Sequence, residues 1–293
     1  MTSELLIRAI LSGILMGAVY GVLGMGFSIV YGIVDLPIFT HGVFVMIGMY
    51  LLIMLEERTG IGPYPGFIFL FAGAYLIGVI MYKLMFKFIL DIEHEMQLIF
   101  FLGLLIALSN IALLIFGPTS RLLSVNWLEK IVFLGEVSLK TATIVGAGVS
   151  VLFVILMELF FKKTETGKAV RACADNRKGA IYIGLNVSRM YSIAIGISLL
   201  CGAMGALAFV PLTPVQPELG FEYAVLAVLV AVLGGAGDMK GSLVAGFLMG
   251  LLLSLQQMFY DLSLTRIVLY TVMLILLMLR PTGLLGKGKS FAK

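Results

Sequence analysis

Charge is what this sequence has least of. Only 20 Lys and Arg and 16 Asp and Glu occur in 293 residues, 12% in all, about half the share of an ordinary soluble domain. Cysteine is limited to Cys173 and Cys201, which excludes a disulfide scaffold, and neither has a metal-ligand or redox partner at motif spacing. Histidine is limited to His41 and His94. No His/Cys/Asp/Glu cluster has metal spacing and no Ser/His/Asp set converges, so neither catalysis by this chain alone nor a resident metal or other cofactor is expected. No basic soluble segment exists to carry nucleic-acid binding, despite a net charge of +4. The apolar runs also lack a relay of ionisable residues, as a proton-coupled carrier would often show.

What is abundant is apolar side chain: 61% of the residues, with mean hydropathy +1.11. One soluble core cannot hide that much, and the runs recur along the chain at close to the ~20 residues that cross a bilayer. The composition defines an all-α, polytopic integral membrane protein, read as a single domain over residues 1–293. The first run lacks a basic leader and an obvious cleavage site, so it reads as a retained helix.

About nine crossings are expected, with eight and ten as alternatives. The runs cover residues 5–32, roughly 43–55, 66–82, 98–116, 141–161, 190–210, 221–235, 243–260 and 264–279. The first is either one tilted helix or a helix broken near Gly24 and Gly26. Between the first two lies "IVDLPIFTHG", where His41 is either a satisfied buried polar group or part of a pathway. Residues 83–97 form a charged connector, and 117–140 a longer polar-leaning one with Trp127 at headgroup level. The piece from Phe221 to Gly235 is short and precedes "GGAGDMKGS"; such Gly-interrupted segments mark translocation paths in transporters. That glycine stretch lacks the Gly-Lys-Ser/Thr ending of a phosphate-binding loop. Alternating the runs puts fourteen of the 20 basic residues on one side. Only Arg8, Arg58, Arg121, Lys130, Lys140 and Arg266 fall on the other. The positive-inside rule then places the N-terminus outside and the C-terminus in the cytoplasm.

The longest hydrophilic segment, residues 162–190, is "KKTETGKAVRACADNRKGAIYIGLNVSRM". Thr166 is placed to cap a short helix, on which Arg171 and Asp175 form an i,i+4 pair worth a few tenths of a kcal/mol. "NRKG" breaks that helix, and a second short one runs from Ala180 to Ile183. The segment is either a solvated loop or a docking surface for a cytoplasmic partner. The small residues Ala169, Ala172 and Ala174 among its charges favour close packing.

Four stretches carry a resemblance to a known family: "GAVYGVLGMGFSIVYGIVDLPIFTHG", "TGKAVRACADNRKGAIYIGLNVSRM", "VLGGAGDMKGSLVAGFLMG" and "LRPTGLLG". In this order and spacing the chain resembles the shorter permease of the branched-chain amino acid ABC importers. The resemblance implies an importer permease fold in the cell membrane and a small-molecule substrate, Leu, Ile or Val. It implies as partners a second, paralogous permease, two cytoplasmic ABC ATPase subunits and an extracytoplasmic binding protein. It assigns coupling to the ATPase to Thr166, Gly167, Arg171, Ala172, Asp175 and Gly184, the two glycines permitting tight turns. Ile38, Thr40, His41, Gly42, Gly234, Gly235 and Gly237 are candidates for path lining or helix breaks, and the resemblance has Arg280–Pro281 end the last helix. The chain departs from the family's Asn-Phe-Ala-His-Gly-Glu at Ile38, Thr40 and Val43. Related permeases carry urea, short amides and simple sugars, so a small polar solute is the alternative cargo. A stand-alone carrier or channel, or a membrane scaffold, are the readings outside this architecture.

Overall fold

The computed structural model describes residues 2–134, 137–259, 262–280 and 282–285. Each expected apolar run becomes a helix: α1 Thr2–Val34, α2 His41–Thr59, α3 Pro63–Leu84, α4 His94–Phe116 and α5 Thr141–Lys163. Two short helices, α6 Glu165–Asp175 and α7 Arg177–Tyr182, occupy the polar interruption. Then follow α8 Val187–Phe209, α9 Leu219–Gly234, α10 Met239–Gln256 and α11 Leu262–Leu279. Among the described residues six helices are long and apolar enough to cross a bilayer, those of α1, α3, α4, α5, α8 and α10. Nine crossings therefore also require α2, which ends in Glu56, Glu57 and Arg58, and the shorter apolar stretches Leu219–Gly234 and Ile267–Leu276.

One open alternative is decided and one connector gains structure. α1 runs unbroken through Gly24 and Gly26. The connector after α4 holds an antiparallel hairpin, β1 Ile131–Leu134 with β2 Val137–Lys140, in which Ile131 faces Lys140 and Leu134 faces Val137. Thr141 closes it, its backbone N–H and hydroxyl both donating to the Lys130 carbonyl. Trp127 is half exposed beside the Tyr64 ring, centroids 5.5 Å apart.

The connections fall into two sets, one at each end of the bundle. At one end Arg177 reaches Asp91 (3.4 Å), Lys240 reaches Glu158 (3.4 Å), and Gly32 at the close of α1 abuts Gly237. The Leu284 and Leu285 N–H groups donate to the Leu233 and Gly234 carbonyls at this same end, so the last described residues lie there. At the opposite end Arg121 pairs with Glu57 (3.6 Å) and exchanges backbone hydrogen bonds with Val215.

α8 is the hub: from Ala194 to Phe209 every residue is buried. α3 and α4 lie outside it and display Ile68, Phe69, Ile80, Ile99, Ile106 and Leu114, a surface suited to lipid. The tightest joint is between α1 and α10. Gly13, Gly17 and Gly21 follow one another at every fourth position, as do Gly246 and Gly250, so small faces meet backbone to backbone. A Cβ on Gly17 would sit 2.7 Å from Phe247 Cα, and one on Gly13 2.9 Å from Leu251 Cα.

Between α3 and α4 a 3₁₀ turn, Phe86–Phe88, leaves carbonyls without helical partners. Gln97, buried at 5% exposure, donates Nε2 to the carbonyls of Ile89 (3.0 Å), Leu90 (3.4 Å) and Ile92 (3.0 Å). Gln97→Leu removes that donor and costs about 2 kcal/mol. The unfolding midpoint in detergent should fall by about 4–8 °C; an unchanged midpoint would contradict this role.

Candidate translocation path and coupling surface

The break between α1 and α2 is built on packing. Ile38 (5% exposed), Thr40 (0%) and His41 (1%) are all inside the chain. The His41 ring lies over Gly26 of α1 and Gly202 of α8, where a side chain at Gly26 would collide with it. Its Nδ1 is 3.4 Å from Ser198 Oγ, while Nε2 and Thr40 Oγ1 have no hydrogen-bond partner among the described residues. Gly42 sits against Gly220 and Ala224 at the start of α9, and Val43 is also buried. The positions that depart from the family pattern thus lie in interior packing. They border neither the cavity described below nor an apolar cleft of about 250 Å³ between α2, α3 and α8.

Gly234, Gly235 and Gly237 form the turn from α9 into α10. Gly235 and Gly237 adopt φ +107° and +88°, which a side chain would strain, and Gly234 packs on Gly241. Asp238 caps α10, its Oδ1 accepting from the Lys240 and Gly241 N–H groups at 2.9 and 3.2 Å. Below that turn Ser28 and Ser242 share a buried hydrogen bond of 2.6 Å, joining α1 to α10.

The residues of the polar segment take different places from those expected. Thr164 caps α6, its Oγ1 accepting from the Gly167 N–H at 2.9 Å, while Thr166 lies within the helix. The cap falls two residues earlier because the extended backbone at Thr164 (ψ 147°) follows the last turn of α5 directly. Gly167 makes no turn. It is a helical residue seated on the Phe160 carbonyl and 2.7 Å, measured from an added Cβ, from Phe161 Cα. Gly184 does make a turn, at φ +83°, with its N–H bonded to the Ile181 carbonyl. Asn176 ends α6 and caps α7, its Oδ1 accepting from Gly179 N–H.

α6 is amphipathic. Gly167, Val170 and Cys173 face inward, where burial pushes the Cys173 thiol up. Arg171, Ala172 and Asp175 face a cavity of about 740 Å³, whose far wall includes Gly237. Among the described residues no ion pair joins Arg171 to Asp175, contrary to their spacing. Both side chains turn to the cavity instead. Composition did not single out the tip beyond α6: Ile181, Tyr182 and Ile183 are 55%, 88% and 73% exposed on one short projection. An apolar triad inside the most polar segment was the available signal. Among the described residues no group of three His, Cys, Asp or Glu is placed to hold a metal.

A bundle of apolar helices packed on a buried central one, with a short helix pair at one end, defines a polytopic membrane protein. The family model for the branched-chain amino acid transport system permease component matches residues 9–277, and the chain belongs to that family. It is 26% identical to the high-affinity branched-chain amino acid transport system permease protein LivH of Salmonella typhimurium, covering 96% of each chain. It is 24% identical, again over 96% of each, to the corresponding BraD of Pseudomonas aeruginosa. A chain of PsaBC from Streptococcus pneumoniae, solved in complex with Fab, aligns at TM-score 0.46 and 18% identity over 96% of this chain and 92% of that one.

Proposed function

We propose that this chain is one of two permease subunits of an ATP-driven importer for branched-chain amino acids. The observation that carries this reading is the α6–α7 projection with its exposed Ile181–Tyr182–Ile183 tip. So large an apolar surface on a hydrophilic projection calls for a protein partner, and the absence of a charge relay in the helices calls for an energy source outside the chain. Two cytoplasmic ABC ATPases supply it, an extracytoplasmic binding protein delivers substrate, and a second, paralogous permease completes the path. The basic residues gathered at the α6–α7 end support a cytoplasmic position for that end and the C-terminus, with the N-terminus outside. Gly184 sets the turn that presents the tip of the projection. A polar cargo such as urea or a short amide fits the same architecture, but the buried departures at Ile38, Thr40 and Val43 give it no contact.

The test is co-purification of the chain with two ATPases and a second permease, followed by uptake of leucine, isoleucine, valine, urea and acetamide by the reconstituted complex. Gly184→Val should uncouple ATP hydrolysis from uptake, lowering uptake at least about tenfold by straining a left-handed residue. Gly184→Asn, which tolerates that conformation, should retain most of it. Equal uptake by the two variants would argue against the turn's role, and a single subunit moving solute without ATP would replace this reading with a stand-alone carrier.

A further inference from the structure

The cavity beside α6 has charges left over. Glu158 is engaged by both Lys162 (2.5 Å) and Lys240 (3.4 Å). Asp238 is engaged by the first N–H groups of α10, and Lys168 by Glu165 at 2.9 Å. Among the charged residues that line the cavity, only the exposed Arg171 and Asp175 make no side-chain hydrogen bond or ion pair among the described residues. They stand one turn apart on α6, their Cβ atoms about 6 Å from each other. The bundle side of the lining includes an apolar set, Met25, Ile29 and Ile33 of α1, Val154 of α5 and Leu243 of α10, beside the paired charges. The volume, about 740 Å³, lies within the range of small-molecule sites.

We propose that this cavity is a regulatory site for a zwitterionic α-amino acid with an aliphatic side chain, entering from the cytoplasmic face as the accumulated product of transport. The ligand's carboxylate meets the Arg171 guanidinium, a geometry suited to paired hydrogen bonds. Its ammonium meets Asp175, and its side chain rests on the α1, α5 and α10 aliphatic wall. A simple anion would satisfy Arg171 and leave Asp175 facing like charge; a simple cation would do the reverse. Because the ligand spans α6 and the bundle, it ties the two together and opposes any relative movement of α6 during the transport cycle. Uptake then slows as product accumulates. The inference rests on the amino-acid importer reading above.

The experiment uses the whole complex in liposomes, with leucine-loaded binding protein enclosed and ATP supplied outside, at the ATPase face. Leucine added outside should reduce ATP hydrolysis to roughly a tenth at ten times its dissociation constant, the fold expected of one linked site. Isoamylamine, without the carboxylate, and 4-methylpentanoate, without the ammonium, should have little effect at the same concentration. Val154→Trp fills the aliphatic wall and should keep hydrolysis while losing the inhibition. Hydrolysis stimulated by enclosed leucine yet indifferent to outside leucine would overturn the site and leave the importer reading standing. So would equal inhibition by the three ligands, which needs no variant to fold. Hydrolysis that enclosed leucine does not stimulate would instead defeat the cargo reading, and this inference with it.

Discussion

Gly246→Leu should abolish accumulation of the folded protein, cutting the yield of monodisperse material in detergent at least about tenfold. A Cβ at Gly246 would overlap the backbone at Gly21 and Gly17, and backbone has no rotamer by which to move away. Helices forced apart lose dispersion contacts along the whole joint, and in lipid no hydrophobic driving force returns them. The cost should exceed the about 1–3 kcal/mol of ordinary overpacking. Gly246→Ala should sit between, with a lowered unfolding midpoint. Gly103→Leu and Gly148→Leu are the controls, since nothing lies within 4 Å of a Cβ at either position. Should the controls fail as severely as Gly246→Leu, insertion of bulk into any helix is the cause and the α1–α10 joint has no special part.

Gly167→Leu should leave membrane insertion intact and reduce uptake by the assembled complex at least about tenfold, while ATP hydrolysis continues. The added side chain would push into the Phe160 carbonyl and Phe161 backbone, so α6 must tilt away from the end of α5. Val170 and Cys173, buried at 0% and 1% exposure, would lose their seat with it. The tip at Ile181–Ile183 would then face the proposed ATPase partner in the wrong attitude. Hydrolysis and uptake falling in the same proportion would point to loss of assembly in place of lost coupling, and normal uptake would remove Gly167 from the coupling surface.

The helical architecture was legible because its signal is composition over twenty-residue windows, and each apolar run became a helix. The family was legible from stretches such as Thr166–Met190, whose order and spacing are specific. Detail inside those stretches was not. The reading of Gly24–Gly26 left a break open because glycine frees the backbone; the structure shows that it also admits a neighbour. Here the neighbours are Val230 and the His41 ring. Only the fold, which brings residues 26, 41 and 202 together, tells the two uses apart. The placement of the cap at Thr166 failed because two threonines stand two apart, and the end of α5 decides between them. The pairing of Arg171 with Asp175 failed because helical spacing brings side chains near without saying what else attracts them. The every-fourth-residue spacing of the glycines of α1 and α10 stands in the sequence, but it marks a joint only once the fold brings the two helices together.

The hydrogen bonds from Leu284 and Leu285 to the end of α9 have a bearing on time. Leu233 and Gly234 leave the ribosome about 50 residues before the groups that complete them, a delay of roughly 3–10 s at ordinary synthesis rates. Through that interval the α9–α10 turn, which walls the cavity through Gly237, is held from one side only. It is finished by Leu284 and Leu285, so a chain that stops before them carries an open seam there.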